Sequence, residues 1–209
     1  LLRQLRLRHV EVDPAFPLAM AEQLRSAGIR VDVLKEQPFP KRQVKTENEL
    51  RAIAVSQRAA VAAMRRASRL LQQAQTDRQG YLCVGSRRLT SEAVRREINI
   101  ALLERDCIGS GTIVSCGAAA AEPHDRGSGP LKAGLPIVID IFPQHMRTGY
   151  WGDLTRTFMK PPVERKWIDL WRTVRAAHEA ALRQVKPGVS FRSVHRAAQA
   201  AMEQRGYRT

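Results

Sequence analysis

Two aspartates and one histidine are the residues of this 209-residue chain best placed to do chemistry. Asp140 stands alone in an otherwise apolar run, Pro136-Ile137-Val138-Ile139-Asp140-Ile141-Phe142. Asp153 lies in Tyr150-Trp151-Gly152-Asp153-Leu154-Thr155-Arg156-Thr157-Phe158, which alternates as a half-buried strand should. The two patterns predict two strands, and the polar link Pro143–Gly149 predicts a hairpin loop. With the turn centred near Met146–Arg147, Asp140 and Asp153 face each other, and directly paired Cβ atoms lie about 5 Å apart. Two bare carboxylates so placed inside an apolar strand pair repel and lose hydration. They must share a proton, find cations or bind metal. A pair of divalent ions roughly 3.5–4 Å apart, bridged by one carboxylate, suits such a site. Spacing alone leaves plainer readings open: Asp153 could cap a turn, and Asp140 could pair with one of the many arginines. His124 sits in the Gly- and Pro-containing loop 118–130, where Pro123 holds Glu122 extended. Surface exposure is the ordinary state of such a histidine, but its place shortly before the Asp140 strand makes it a candidate.

The elements that must position these residues follow in chain order. Asp13–Ala27 predicts a helix with Pro14 in its first turn and Gly28 as its stop, followed by a short strand, Ile29–Leu34. Gln37-Pro38-Phe39-Pro40 breaks the pattern and marks a domain boundary. The expected division is 1–40, the end of an upstream α/β domain and its linker, and 41–209, the main domain. Thr46-Glu47-Asn48-Glu49 is a capping box opening a long helix that ends at Asp77–Gly80, with Leu50, Ile53, Ala54, Val61, Met64, Ala67 and Leu71 inward. A second helix starts at Thr90-Ser91-Glu92, with Val94, Ile98, Ala101 and Leu102 inward and Arg88, Arg95 and Arg96 outward. Thr112–Gly117 predicts a strand before the His124 loop. Beyond the hairpin come a helix over 163–185, burying Trp167, Leu170, Trp171, Val174, Ala181 and Leu182, and a last helix capped by Ser190. His178 and His195 read as solvated.

Composition excludes several classes. No run approaches the ~20 apolar residues of a membrane span, and the arginine-broken start is not a signal peptide. The absence of an initiating Met suggests that the sequence begins inside a longer protein. Three cysteines without a CxxC pair fit free thiols and a cytoplasmic protein. The formal charge of +15 invites a polyanion reading. The arginines are spread over every predicted helix and few aromatics are available for stacking, so nucleic acid is not an expected partner.

The long capped helix, the LTSE-started helix, the loop histidine, Asp140 and the Gly152-Asp153-Leu154-Thr155-Arg156-Thr157 strand together resemble the pita-bread metallopeptidases. Phe39-Pro40-Lys41-Arg42 with Lys45-Thr46 through Phe158 is most similar to the Xaa-Pro aminopeptidase and prolidase branch. The resemblance implies an α+β, incomplete pita-bread (creatinase/aminopeptidase) fold, preceded by the tail of a creatinase-type N-terminal domain. It implies two divalent metal ions (Mn, Co, Fe or Zn), with Asp140 binding one of them and Asp153 bridging both. His124 would hydrogen-bond substrate near the scissile carbonyl, and Thr155 would be a supporting hydroxyl beside the metal-bound water. The expected substrate is a peptide with proline at its second position, and assembly as a homodimer is left open. Two departures stand out. The Asp140–Asp153 hairpin is two residues longer than is usual in the family, which preserves the parity of the two side chains. The family's further histidine and two glutamates have no counterpart here. Only two of five ligands are present, so this chain alone is expected to be inactive, truncated at both ends and exposing apolar surface. The alternative is a non-catalytic peptide- or protein-binding module on the same fold.

Overall fold

Alternating valines make the first two strands: β1 (His9–Val12) and, after α1 (Leu18–Ser26), β2 (Arg30–Val33). They pair in parallel from His9–Arg30 to Val12–Val33. The structure is a computed structural model and describes residues 7–35 and 39–207. It divides into two compact units, 1–50 and 51–209. In the first, α1 starts later than Pro14 suggests. Asp13 instead closes a separate turn, its carboxylate accepting the Ala15 N–H at 2.8 Å, and Pro17 is the helix N-cap. A proline inside the helix would leave the preceding turn without its hydrogen bond. Gly28 ends α1 as expected. At φ +80° it donates to Arg25 C=O while Ile29 donates to Leu24 C=O, the pairing of a Schellman cap. The expected break at Gln37–Pro40 falls partly on residues 36–38, outside the described residues; a 3-10 turn, Pro40–Gln43, follows.

The capping box forms. Glu49 Oε2 accepts the Thr46 N–H at 2.7 Å and Thr46 Oγ accepts the Glu49 N–H at 3.4 Å, opening α2 (Glu47–Gln73). Its buried stripe differs from the expected one. Ser56, Ala59, Ala60, Ala63, Met64, Ala67 and Leu71 are buried, whereas Leu50 is exposed. Small residues on this line let other backbone come close, which bulky ones would prevent. α2 also stops earlier than Asp77. Lys160 Nζ donates to the Leu71 and Gln72 carbonyls at 3.3 and 2.8 Å, satisfying groups that a helix end leaves unpaired.

A short meander follows: β3 (Gln75–Thr76), β4 (Leu82–Val84) and β5 (Arg87–Arg88). The Asp77–Gly80 segment is its first turn, with Asp77 Oδ1 accepting the Gln79 and Tyr81 N–H groups. α3 (Ser91–Leu103) is capped by Thr90, whose hydroxyl accepts the Ala93 N–H, and buries the four expected residues. After β6 (Cys107–Ile108) and β7 (Ile113–Cys116), the chain reaches β8 (Ile137–Ile141), β9 (Gln144–His145) and β10 (Leu154–Phe158). β8 is the middle of an antiparallel sheet ordered β10-β8-β7. Ile137, Ile139 and Ile141 enter the core with Leu82, Val94, Ile98, Leu102 and Val114. The opposite face carries Val138 and Asp140, both half-buried.

α4 (Arg165–Gln184) and α5 (Phe191–Glu203) pack against each other. Their burial corrects the expectation. Only Thr173 and Ala177 of α4 are buried, while Trp171, Val174, Leu182 and Phe191 are exposed. Trp167, Leu170, Val194 and Met202 are half-buried. No helix among the described residues is long and apolar enough to cross a membrane.

Candidate functional site

The hairpin that carries the two aspartates closes one residue later than its polar centre suggests. Gly149, at φ +72°, donates to His145 C=O at 2.8 Å, and His145 donates to Tyr150 C=O at 3.0 Å. The loop is therefore Met146–Gly149, and every pair along the ladder shifts with it. Gln144 bridges Trp151, Leu154 pairs with Ile141 and Thr155 pairs with Asp140. Asp140 is thus opposite Thr155, not Asp153 as the sequence suggested. Asp153 lies two residues before Thr155 and just outside β10; strand alternation, were it to extend that far, would put it on the side of Thr155 and Asp140. The Thr155 hydroxyl donates to Asp140 Oδ1 at 2.5 Å, a short contact of the kind that charge assistance gives.

The environment is wetter than the apolar strands imply. Asp140 is half-buried and Asp153 exposed. Residues 155–157 of β10 are exposed on both faces. The compulsion to share a proton or recruit a cation, which follows from burial, is correspondingly relaxed.

Residues far away in sequence fix the backbone around Asp153. Gly152 is buried against α2, where an added Cβ would lie 2.6 Å from the Ser56 carbonyl carbon and 2.7 Å from the Gln57 nitrogen. Ser56 Oγ donates to Tyr150 C=O at 2.7 Å. Gln57 Nε2 donates to Asp153 C=O at 2.8 Å, and Asp153 N–H donates to Gln57 Oε1 at 2.9 Å. Neither Ser56 nor Gln57 stands out in the sequence. The available signal is a polar pair interrupting the alanine-rich side of α2.

His124 is not gathered with the aspartates by any hydrogen bond. Its side chain is 94% exposed and 3.8 Å from Glu122, and its own N–H donates to the same carboxylate. The loop beyond it is tied down. Arg95, expected to point outward, is only 15% exposed at its side chain; it donates to the carbonyls of Arg126 and Gly127. Glu92 accepts the Gly129 N–H at 3.1 Å. Hydrogen bonds from its own N–H and from Thr90, with lesser help from Gly129 and Arg95, hold the Glu92 carboxyl below the usual range. Gly127, at φ +72°, would place a Cβ 1.9 Å from Val114 C=O. His145 is buried and serves the turn, its Nδ1 accepting the Thr148 N–H at 3.2 Å. His178 and His195 are exposed.

Carboxylate oxygens are the donor class that hard divalent ions prefer, so Asp140 and Asp153 fit part of a metal site. Among the described residues no group of three or more His, Cys, Asp or Glu is gathered to complete one. Two clefts, of about 350 and 480 Å³, lie beside Lys132–Leu135 and between α2 and Phe158–Pro161. Neither is lined by Asp140, Asp153 or His124.

An α+β unit in which a small antiparallel sheet, ordered β10-β8-β7, is backed by long capped helices fits the pita-bread class of fold. Residues 51–209 match metallopeptidase family M24, and the chain belongs to that family. It is similar to an X-Pro aminopeptidase from Thermotoga maritima, with a TM-score of 0.80 at 20% identity over 99% of this chain and 55% of that one. It is also similar to a prolidase from Pyrococcus horikoshii, with a TM-score of 0.77 at 19% identity over 96% of this chain and 55% of that one. In sequence it is 35% identical to Xaa-Pro aminopeptidase 2 of Streptomyces coelicolor over 104 residues, 47% of this chain and 21% of that relative. The match thus spans about a fifth of that relative and about half of each solved structure.

Proposed function

We propose that this chain supplies one portion of a metal-dependent exopeptidase that cleaves the bond before a proline in the second position of a peptide. The observation that carries the reading is the β8–β10 register, which sets Thr155 opposite Asp140 with its hydroxyl held on that carboxylate, two residues beyond Asp153. Family membership and the names of the relatives support the substrate class. In this reading Asp140 and Asp153 hold two divalent ions (Mn, Co, Fe or Zn), and Thr155 fixes the rotamer of Asp140. Bound ions would supply Lewis acidity and a nucleophilic water at neutral pH. His124, on its tethered loop, would reach the substrate carbonyl; its imidazole is exposed, with the Glu122 carboxylate 3.8 Å away. Residues 1–40 would be the end of a creatinase-type N-terminal domain, consistent with the β1-α1-β2 unit. Three unpaired cysteines support a reducing, cytoplasmic setting.

The test is Mn²⁺-dependent release of the N-terminal residue from an Xaa-Pro tripeptide or dipeptide by the protein as its gene encodes it. Activity should be lost in Asp140→Asn and in Asp153→Asn, and should be absent from the 209-residue chain alone, which brings two of the five expected ligands. Cleavage by that chain alone would overturn the ligand count. Peptide binding without metal uptake or cleavage would favour the non-catalytic module instead.

A further inference from the structure

We infer that Gln57 is a positioning residue for Asp153: its side-chain amide takes the place of a neighbouring strand at the one point where the carboxylate-bearing peptide would otherwise be free. The inference rests on the metallopeptidase reading of Asp153.

Asp153 lies one residue before β10 begins. On the hairpin side, the neighbouring contacts are already made. Gly152 N–H donates to Pro143 C=O at 2.9 Å, and Leu154 pairs with Ile141. The Asp153 N–H and C=O are instead both taken by the Gln57 amide, at 2.9 and 2.8 Å. A primary amide offers one acceptor and two donors, so a single side chain can satisfy both peptide groups of one residue. A N–H needs an acceptor and a C=O needs a donor, which fixes the amide's orientation without ambiguity. Bonds on both sides of one Cα restrict its φ and ψ together, and so the direction of its Cβ.

The neighbourhood keeps Gln57 within reach. Ser56 holds Tyr150 C=O at 2.7 Å, and Gly152 lets the strand touch the α2 backbone where a Cβ would collide. Gln57 Cα is in a continuous helix, so its amide is a fixed point against which the 150–153 segment is set. No charge is involved. A carboxylate in place of the amide could accept the N–H but could not donate to the carbonyl, and a lysine could not accept at all. Residues that orient a metal ligand in this way typically contribute ~10–100-fold to metal affinity.

The experiment is Mn²⁺ binding to the protein as its gene encodes it, followed by electron paramagnetic resonance. Four versions are compared: unmodified, Asp153→Asn, Gln57→Met and Ser56→Ala. Methionine keeps the length and bulk of glutamine and removes both hydrogen bonds. Gln57→Met should weaken Mn²⁺ binding by about 10-fold or more, while Ser56→Ala, which removes one bond to Tyr150 C=O and leaves the one from the His145 N–H, should change it little. Gln57→Asn, one methylene shorter, should move in the same direction as Gln57→Met and serves if the methionine variant does not fold. Equal affinity in Gln57→Met and the unmodified protein would overturn the positioning role, as would an equal loss in Ser56→Ala, which would mark a general packing effect. If the unmodified protein takes up no Mn²⁺, or Asp153→Asn binds as well as it does, the metallopeptidase reading itself falls.

Discussion

A hydroxyl opposite a carboxylate on a strand pair does two things at once: it holds the carboxylate's rotamer, and it takes up one of the lone pairs that would otherwise look for a cation. Thr155 stands so to Asp140. Replacing it by valine keeps the β-branched shape that a strand favours and deletes the hydrogen bond. Thr155→Val should therefore fold normally and weaken divalent-metal binding by ~10–100-fold, with Thr155→Ser recovering most of the loss. A titration of Mn²⁺ into the three proteins checks this, and unchanged affinity in Thr155→Val would remove the supporting role. At this scale the sequence was a good guide to identity and a poor one to pairing. The residue types and the parity of Asp140 and Asp153 could be read directly. Their register could not, because it depended on where the loop began: Gln144 and His145, expected in the loop, form β9, and one residue at the turn centre moves every cross-strand partner by two. Gln57 could not be foreseen, since a lone glutamine on a helix looks like solvated surface.

The elements show the same division between local signals and distant ones. Caps at Thr46, Thr90 and Ser190 are written in a few adjacent residues, and all three helices begin where those residues say. Burial on α4 and the small-residue stripe of α2 depend on what each helix meets, which periodicity does not state. Arg95 is the clearest case. It has the look of a solvated arginine, yet it holds the loop beyond His124 through two backbone carbonyls. Glu92, one turn away, holds Gly129 from the same helix. Its carboxyl is depressed from the ordinary 4.5, so the folded form binds a proton less readily than the unfolded form. The associated stability is present above the ordinary carboxylate pKa and is lost as pH falls through the depressed one. The melting temperature of Glu92→Gln should accordingly lie below that of the unmodified protein at pH 7 and approach it at pH 3. A difference that stays constant with pH would show that the carboxylate charge is not what ties the loop.

For the second unit as a whole, stability resides where β8 meets α2 and α3. Ile139 is fully buried in the middle of the central strand, with Asp140 as its immediate neighbour. Ile139→Ala should cost about 2–5 kcal/mol, measured by urea denaturation, whereas truncating Trp171 or Phe191 on the exposed side of the α4–α5 pair should cost far less. Loss of comparable size at Phe191 would mean that this surface is covered in solution. The core positions of α3 were legible in the sequence because their apolar spacing matches the helical period; those of β8 were not, because its run is apolar on both faces except at Asp140. The short strands β3, β4 and β5 were not, being two or three residues long and held mainly by the turn at Asp77.

Gln57 and Asp153 are 96 residues apart, whereas the hairpin between Asp140 and Asp153 is closed by neighbours. Hairpins form in about 1–10 μs, while contacts across long stretches of chain must first overcome loop-closure entropy. The order of events follows: β8 and β10 can find each other before α2 arrives to grip the peptide of Asp153. Until then the Asp153 peptide lacks the two bonds that fix it relative to β8. If Asp140 and Asp153 hold metal as proposed, that competence is complete only once α2 has docked on the hairpin.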